Sequence, residues 1–334
     1  MADASHTQLF SIPTNGNTPA HSLPQPSHYS LFTHDEWAKL GRNTPLPLSE
    51  YDITRLSALG DPIDLTEADA IYRPLSALLQ MYTANIGTLQ KETSHFLGRH
   101  NERTPFVIGI AGSVAAGKST TARLLQELLR RWPATPSVEL VTTDGFLYPN
   151  EELEKRNLMN RKGFPESYDQ GALYHFVRSV KSGDDNVKAP IYDHITYNIV
   201  PDKYINVSHP DILIIEGLNV LAPPHIGDPS GMLESVADLF DLSIYVDAHP
   251  DDLERWYIQR IHRLRNTAFT HPHSYFKRYA HMPQGELEEH FRTIWRTINL
   301  PNLLENIAPT RSRADIVLSK GPDHTIEQVA IRKL

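Results

Sequence analysis

The sequence predicts a three-layer α/β fold: a mostly parallel central sheet with helices on both faces, preceded by an N-terminal helical extension. Three observations carry this reading. Short apolar runs alternate with helical patterns over roughly 200 residues from Pro105 onward, the rhythm of strand–helix–strand units. The first run, Phe106–Ala111, is apolar at nearly every position, as a strand covered on both faces must be. A glycine-rich turn then joins it directly to TTARLLQELLRRW, a strongly helical segment.

Composition bounds what such a fold can do. The chain has 334 residues, 40% hydrophobic and 22% charged, which suits a globular protein with a sizeable core. It has no cysteine, which excludes disulfides, thiolate metal sites and a cysteine nucleophile. Lys and Arg number 32 against 40 Asp and Glu, a net charge of -8. That balance argues against non-specific nucleic-acid binding, which needs a cationic surface. No apolar stretch approaches the ~20 residues of a membrane span. The polar start MADASHTQLFSIPTNGNTPA lacks a basic run followed by an apolar core, so no secretory signal is expected and a cytoplasmic location is the default.

Residues 1–28, rich in Pro, Ser, Asn and His without apolar periodicity, read as a flexible tail. Residues 29–334 read as a single domain, with N-terminal helices over 29–104 and a nucleotide- and substrate-binding core over 105–334. Within the first part, Tyr29 to Leu48 should pack on the main body through Phe32, Trp37 and Leu40. Ser49 opens a short helix that Gly60 stops, and Leu65 to Phe96 is helical. Strands are expected at Val138–Thr142, Asp211–Glu216, Leu242–Asp247 and Asp315–Leu318, the last taken as the final core strand. Helices are expected at Asp251–Arg265 and from Gly285 to Ile298. Residues 149–188 should hold small helices at most, and Ile191–Val200 a short hairpin or loop near the substrate.

GSVAAGKS, Gly112 to Ser119, fits the G-x-x-x-x-G-K-[ST] pattern, with strand before and helix after as that pattern requires. It places the fold among the P-loop NTPases and kinases. Successive backbone N–H groups from Gly112, Ser113, Val114, Ala115, Ala116, Gly117, Lys118, Ser119 and Thr120, at the start of a helix, can satisfy the negative charges of a phosphate chain. Lys118 is expected on the β- and γ-phosphates and the Ser119 hydroxyl on Mg²⁺, while Thr120 caps or packs. Arg123, one turn into the helix, either contacts nucleotide phosphates or forms a surface pair.

Two further strands deliver carboxylates to the same sheet edge. Asp144 follows VELVTT and Glu216 ends DILIIE. In a parallel sheet both ends open beside the phosphate loop. A kinase needs a group that orients the acceptor hydroxyl and takes its proton, and Asp144 is the candidate. Glu216 is the candidate for Mg²⁺ or its water shell. Asp247 also ends a strand, but a Pro-containing turn follows it, and it reads as structural.

The helix Asp251–Arg265 carries Arg255, Arg260, Arg263 and Arg265. Such a helix can close as a lid, place an arginine over the transferring phosphoryl group and exclude water. Next comes AFTHPHSYFKRYA, whose Phe269, Tyr275, Phe276 and Tyr279 line a pocket or pack a core; the sequence leaves both open. The same holds for Tyr192, His194 and Tyr197, which either bind polar substrate groups or sit on the surface. No H-E-x-x-H pattern appears among the 17 histidines, so no transition-metal site is expected.

IAGSVAAGKSTTARLLQELLRRWP, VELVTTDGFLYPN, KGFPESYD, PDILIIEGLNVL, FDLSIYVDA and AFTHPHSYF together resemble bacterial type I pantothenate kinase, from about Leu31 to the C-terminus. The P-loop alone does not separate that family from its relatives, uridine kinase and phosphoribulokinase. The resemblance implies ATP-dependent phosphorylation of the primary hydroxyl of pantothenate, the first step of coenzyme A synthesis. It also implies feedback inhibition by coenzyme A and a homodimer. Carried over residue by residue, it makes Asp144 the catalytic base, with Lys118 keeping its phosphate role, and Arg265 the lid arginine. Tyr192, His194 and Tyr197 become pocket residues. Asn299, in INLPNL, becomes the asparagine that bonds the pantothenate amide or hydroxyl. Phe269, Phe276 and Tyr279 become pocket walls. Residues 1–28 lie outside the resemblance.

Overall fold

The computed structural model describes residues 28–57, 62–99, 104–224 and 234–333. The tail, His28 excepted, and the Gly60 stop lie outside the described residues. Nine strands form a seven-stranded sheet and a separate hairpin among the described residues. The strands are β1 Tyr29–Thr33, β2 Phe106–Gly112, β3 Val138–Thr142, β4 Val187–Asp193, β5 Asn198–Val207, β6 Ile212–Glu216, β7 Leu242–Asp247, β8 Ile316–Lys320 and β9 Ile326–Arg332. The helices are α1 His34–Leu40, α2 Glu50–Leu56, α3 Leu65–Glu67, α4 Arg73–Phe96, α5 Lys118–Arg130, α6 Asn150–Lys155, α7 Gln170–Lys181, α8 Pro250–Arg265, α9 Gln284–Ile294 and α10 Leu300–Asn302.

The large sheet runs β1-β9-β8-β7-β2-β6-β3. Its five core strands are parallel, and β9 and β1 add an antiparallel edge. All seven residues of β2 are buried, as a central strand between two helical layers requires. The chain leaves β2 toward β3 on one side and later fills β7 and β8 on the other. The order therefore reverses at the C-terminal end of β2, where open α/β sheets bind ligands. Registers align the ends there: Glu216 lies opposite Ile110 and Thr142, and Val246 opposite Gly112.

One apolar core runs from the N-terminal helices into the sheet, joining Trp37, Ile53, Ile71 and Leu75 to Val107, Ile108 and the α5 stripe Leu124, Leu125, Leu128, Leu129. Trp37 anchors the extension, being only 2% exposed with its indole N–H on the Ile71 carbonyl at 3.0 Å. Leu40, expected to pack beside it, projects into solvent instead. Capping boxes Thr33–Glu36 and Ser49–Asp52 start α1 and α2. The Tyr72 hydroxyl and Thr121 Oγ1, 3.0 Å apart, tie the extension to α5, the helix that carries the phosphate loop.

Three elements depart from the sequence reading. β8 is the last of the parallel core strands but not the last strand of the sheet, since β9 returns antiparallel to it and carries β1 on its far edge. Residues 149–188 include a full helix, α7, started by Asp169 and buried through Leu173, Phe176, Val177 and Val180. The expected short hairpin extends from Val187 to Val207 as β4 and β5.

Candidate active site

The phosphate loop has the backbone that its glycines permit. Gly112 adopts φ 144° and Gly117 φ 96°, and Ala115 also takes a left-handed φ of 65°. A Cβ on Gly112 would collide with the Val246 carbonyl oxygen, so glycine is needed for β2 and β7 to converge there. Lys118 Nζ donates to the Ser113 carbonyl at 2.8 Å and lies 3.8 Å from Glu216 Oε1. Ser119 Oγ donates to Glu216 Oε2 at 3.1 Å. Burial pushes Lys118 below its ordinary range and Glu216 above its own, each partly offset by the other's opposite charge. Ser113 Oγ is buried with no protein partner, a hydroxyl left free for a ligand. Thr120 is buried, as a packing residue.

Asp144 sits just past β3 in the 3₁₀ turn Thr143–Phe146. A Cβ on the next residue, Gly145, would strike the Pro190 carbonyl oxygen, so the turn lies directly against β4. The negative charge of Asp144 acts on Lys118 and Glu216 on one side. On the other it acts on Lys162, Tyr168, Tyr192 and Tyr197. One carboxylate thus stands between the phosphate lysine and a wall of tyrosines. Burial raises the Tyr168 and Tyr192 phenols and pushes Tyr197 up to about 12, so all three remain hydrogen-bond donors at neutral pH.

The hairpin, the lid helix and the C-terminal segment meet across this wall. Tyr192 packs on His194 with ring centroids 5.1 Å apart and on Tyr197 at 6.1 Å, and His194 is exposed. Tyr197 meets Phe276 at 4.9 Å. Phe269 and Tyr279 lie behind Phe276, buried in a second apolar cluster with Ile258, Ile261, Leu287 and Phe291. They support the wall from behind, and Phe276 is the one of the three that reaches the hairpin. Asn299 ends a π-helical turn, Trp295–Asn299, and its side chain bonds the Tyr257 hydroxyl. Tyr257 in turn feels Tyr197 and Arg260.

The arginines sort by helix face. Arg260 bears its positive charge on Lys118 and on Tyr257. Arg265, five residues on, is rotated by about 140° around α8. The face of Arg260 carries Leu253 and Trp256, which join the main core, whereas the face of Arg265 carries Ile258 and Ile261 of the second cluster. Arg265 Nε is buried without a protein partner. The structure therefore brings Arg260, rather than the expected Arg265, up to the phosphate lysine. Arg123 forms neither expected contact with its Nε, which donates to the Leu56 carbonyl at 2.8 Å, while its charge favours the ionised form of Glu216. Asp247 accepts from Arg311 Nε at 2.6 Å, which fits its structural reading.

Lys162, Tyr168, Tyr257 and the position of Arg260 escaped the sequence analysis. Lys162 lies in a loop with no periodic pattern. Its Nζ donates to Asn150 Oδ1 at 2.6 Å and to the Tyr197 carbonyl at 2.7 Å, and it stands 4.0 Å from the Tyr197 ring centroid. Burial lowers its pKa to about 8, against the opposing pull of Asp144. The adjoining Gly163 carbonyl accepts from Asn219 and Asn302, both at 2.9 Å, which fixes this loop between β6 and the C-terminal segment. For Arg260 a signal existed: it is three and four residues after Tyr257 and Trp256, on their side of the helix.

This arrangement, a cationic phosphate loop facing a tyrosine-lined pocket across Asp144, has relatives. Residues 107–268 match the model of the phosphoribulokinase / uridine kinase family. The pantothenate kinase of Streptomyces avermitilis is 53% identical over 328 residues, 98% of this chain and 99% of that one. The pantothenate kinase of Rhizobium rhizogenes (strain K84) is also 53% identical, over 92% of this chain and 93% of that one. The chain belongs to the pantothenate kinase family. The fold of this family member is also that of D-glycerate 3-kinase from Cryptococcus neoformans, with a TM-score of 0.50 at 15% identity over 76% of this chain and 98% of that one. Among the described residues, no helix is long and apolar enough to cross a membrane.

Proposed function

We propose that the protein is an ATP-dependent pantothenate kinase, which transfers the γ-phosphoryl group of ATP to the primary hydroxyl of pantothenate and so opens coenzyme A synthesis. The single observation that carries the chemistry is the position of Asp144, whose charge acts at once on Lys118 and on the tyrosine wall. A carboxylate in that position accepts the hydroxyl proton as the oxygen attacks the γ-phosphorus, and ADP leaves on the side of the phosphate loop. Lys118 and Arg260 offset the charge spread over the transferring group. We assign this lid role to Arg260, with Arg265 turned toward the second apolar cluster. Tyr192, His194, Tyr197, Tyr257, Phe276 and Asn299 form the acceptor pocket, with Lys162 available to the pantothenate carboxylate. Beyond the phosphate loop, a cavity of about 450 Å³ bordered by Asp247, His249, Arg311 and Lys320 is offered to the nucleoside end of ATP.

Mg²⁺ fits the donor set. Ser119 and Glu216 place a hydroxyl and a carboxylate side by side, and no group of three His, Cys, Asp or Glu suited to a metal exists among the described residues. A phosphate-bound Mg²⁺ needs only one or two protein oxygens, with waters and phosphates completing its shell. Bound there, it would neutralise β- and γ-phosphate charge.

Residues 29–334 act in this reading as one kinase domain, which the shared core of N-terminal helices and sheet supports. The enzyme works as a homodimer in the cytoplasm, where ATP is available, and coenzyme A inhibits it by overlapping the ATP site. For the dimer the support is α4, which beyond Leu79 carries exposed Met81, Leu89 and Phe96.

The test is an ADP-release assay with pantothenate, uridine and ribulose 5-phosphate offered separately. Pantothenate should be the preferred acceptor. Preference for uridine would move the protein to the uridine-kinase reading, which the match to that broader family model keeps relevant.

A further inference from the structure

Asn150 is the first residue of α6, six positions after Asp144 on the same stretch of chain. Asparagine at a helix start commonly caps it. Here Pro149 holds the cap position, no side chain caps the helix, and the Asn150 amide is turned elsewhere. Its Oδ1 accepts from Lys162 Nζ at 2.6 Å, and its Nδ2 donates to the Tyr197 carbonyl at 3.1 Å. Its backbone N–H donates to Asn198 Oδ1 at 3.0 Å, an oxygen that also accepts from Ile199 N at 2.9 Å. Lys162 Nζ closes the triangle by donating to the same Tyr197 carbonyl at 2.7 Å.

The turn so gripped needs gripping. Tyr197 takes a left-handed φ of 55°, a conformation a bulky residue seldom adopts unless its surroundings impose it. Two donors converge on its carbonyl, and a backbone donor holds the next side chain. The grip also fixes the ammonium: two of its three N–H groups are committed, and the rings of Tyr197 and Tyr192 stand 4.0 and 5.0 Å away. Only an amide does both tasks, because it presents an acceptor to the ammonium and a donor to the carbonyl on one planar group. Aspartate would set a second acceptor against the Tyr197 carbonyl and neutralise the lysine. Alanine would release both.

We propose that Asn150 is a positioning residue of the acceptor pocket, locking the hairpin turn at Tyr197 and the Lys162 ammonium into one geometry on the segment that carries Asp144. The inference deepens the pantothenate kinase reading and rests on it. The hydrogen bonds of Asn150 go to Lys162, Tyr197 and Asn198 and none to Lys118 or Glu216, so its effect should fall on the acceptor.

The experiment is steady-state kinetics on the full-length wild type, Asn150→Ala and Asn150→Asp, with each substrate varied in turn and thermal melts recorded alongside. Both variants should raise the KM for pantothenate about tenfold or more, the scale of losing hydrogen bonds to a charged group. The KM for ATP and the melting temperature should stay close to wild type. In a Lys162→Met background, Asn150→Ala should cost at least threefold less than in wild type, because the partner it orients is already gone. An unchanged pantothenate KM would overturn the proposal. So would a parallel change in ATP KM and melting temperature, which marks a role in folding α6, or full additivity with Lys162→Met. Should the wild type prefer another acceptor, the proposed pantothenate activity falls, and the KM for that acceptor becomes the quantity on which Asn150 is judged.

Discussion

Asp144, Arg260 and Lys162 carry different charges into one pocket, and each makes a separable prediction. Asp144→Asn keeps the shape of the side chain but removes its basicity. Turnover should fall 10²–10⁴-fold, the usual range for a lost general base, while equilibrium binding of a non-hydrolysable ATP analogue changes by less than about threefold. Equal loss of binding and turnover would instead assign Asp144 to the nucleotide. Arg260→Ala should lower kcat at least tenfold more than Arg265→Ala, since the charge of Arg260 bears on the phosphate lysine and Arg265 lies on the helix face of the second cluster; the reverse order would restore Arg265 to the lid. Lys162 is cationic below its pKa of about 8 and neutral above it. In the proposed pocket the pantothenate carboxylate would therefore meet a cation at neutral pH and lose it as pH rises. The KM for pantothenate should climb as pH passes through about 8, and the limb should shift to higher pH in Lys162→Arg. A KM flat to pH 9.5 would separate Lys162 from the acceptor. At this scale the sequence was informative where spacing is local. The P-loop and the acids at strand ends are fixed within a few residues of the elements that present them. Lys162 and Tyr257 matter only through contacts made across the fold.

At the scale of elements, helices and strands with a strong internal pattern were legible: β2, β3, β6, β7 and α5 all lie where the periodicity puts them. The misses were elements whose pattern is supplied by a neighbour. β9 shows no alternation, burying Ile326, Val329 and Ala330, and its existence depends on β8 and β1 pairing on either side. α7 follows a run of Gly, Pro and single-turn helices, yet it buries Phe176 against Phe146, 5.6 Å between ring centroids, just after Asp144. Its start rests on Asp169, whose carboxylate accepts from Ala172 N at 2.8 Å. Asp169→Ala should cost about 1 kcal/mol of stability, the usual cost of a lost helix cap. Reversible thermal unfolding would register that as a lower midpoint. No change would mean that tertiary packing alone holds α7.

At the scale of the molecule, α4 extends past the body. Its first turns are buried through Leu75 and Leu79, and beyond them Met81, Leu89 and Phe96 are exposed, the last 87% accessible. Tyr82, Leu89 and Phe96 recur every seven residues, the spacing that lets helices pack along a shared seam. For the homodimer proposed above, the pair Leu89→Glu and Phe96→Glu should move the sedimentation coefficient from that of a dimer to that of a monomer without lowering the thermal midpoint of the monomeric fold. An unaltered sedimentation coefficient would remove α4 as the proposed dimer contact.

By itself the sequence determined the α/β class, the phosphate loop and the two acids beside it, because each follows from residues close together in the chain. The tertiary structure decided which arginine of α8 meets Lys118 and which aromatic of the second cluster reaches the hairpin. It also decided that Asn150 and Lys162 close on Tyr197. These are choices among chemically equivalent side chains. Only the rotation of a helix, or the approach of two loops far apart in the chain, distinguishes them.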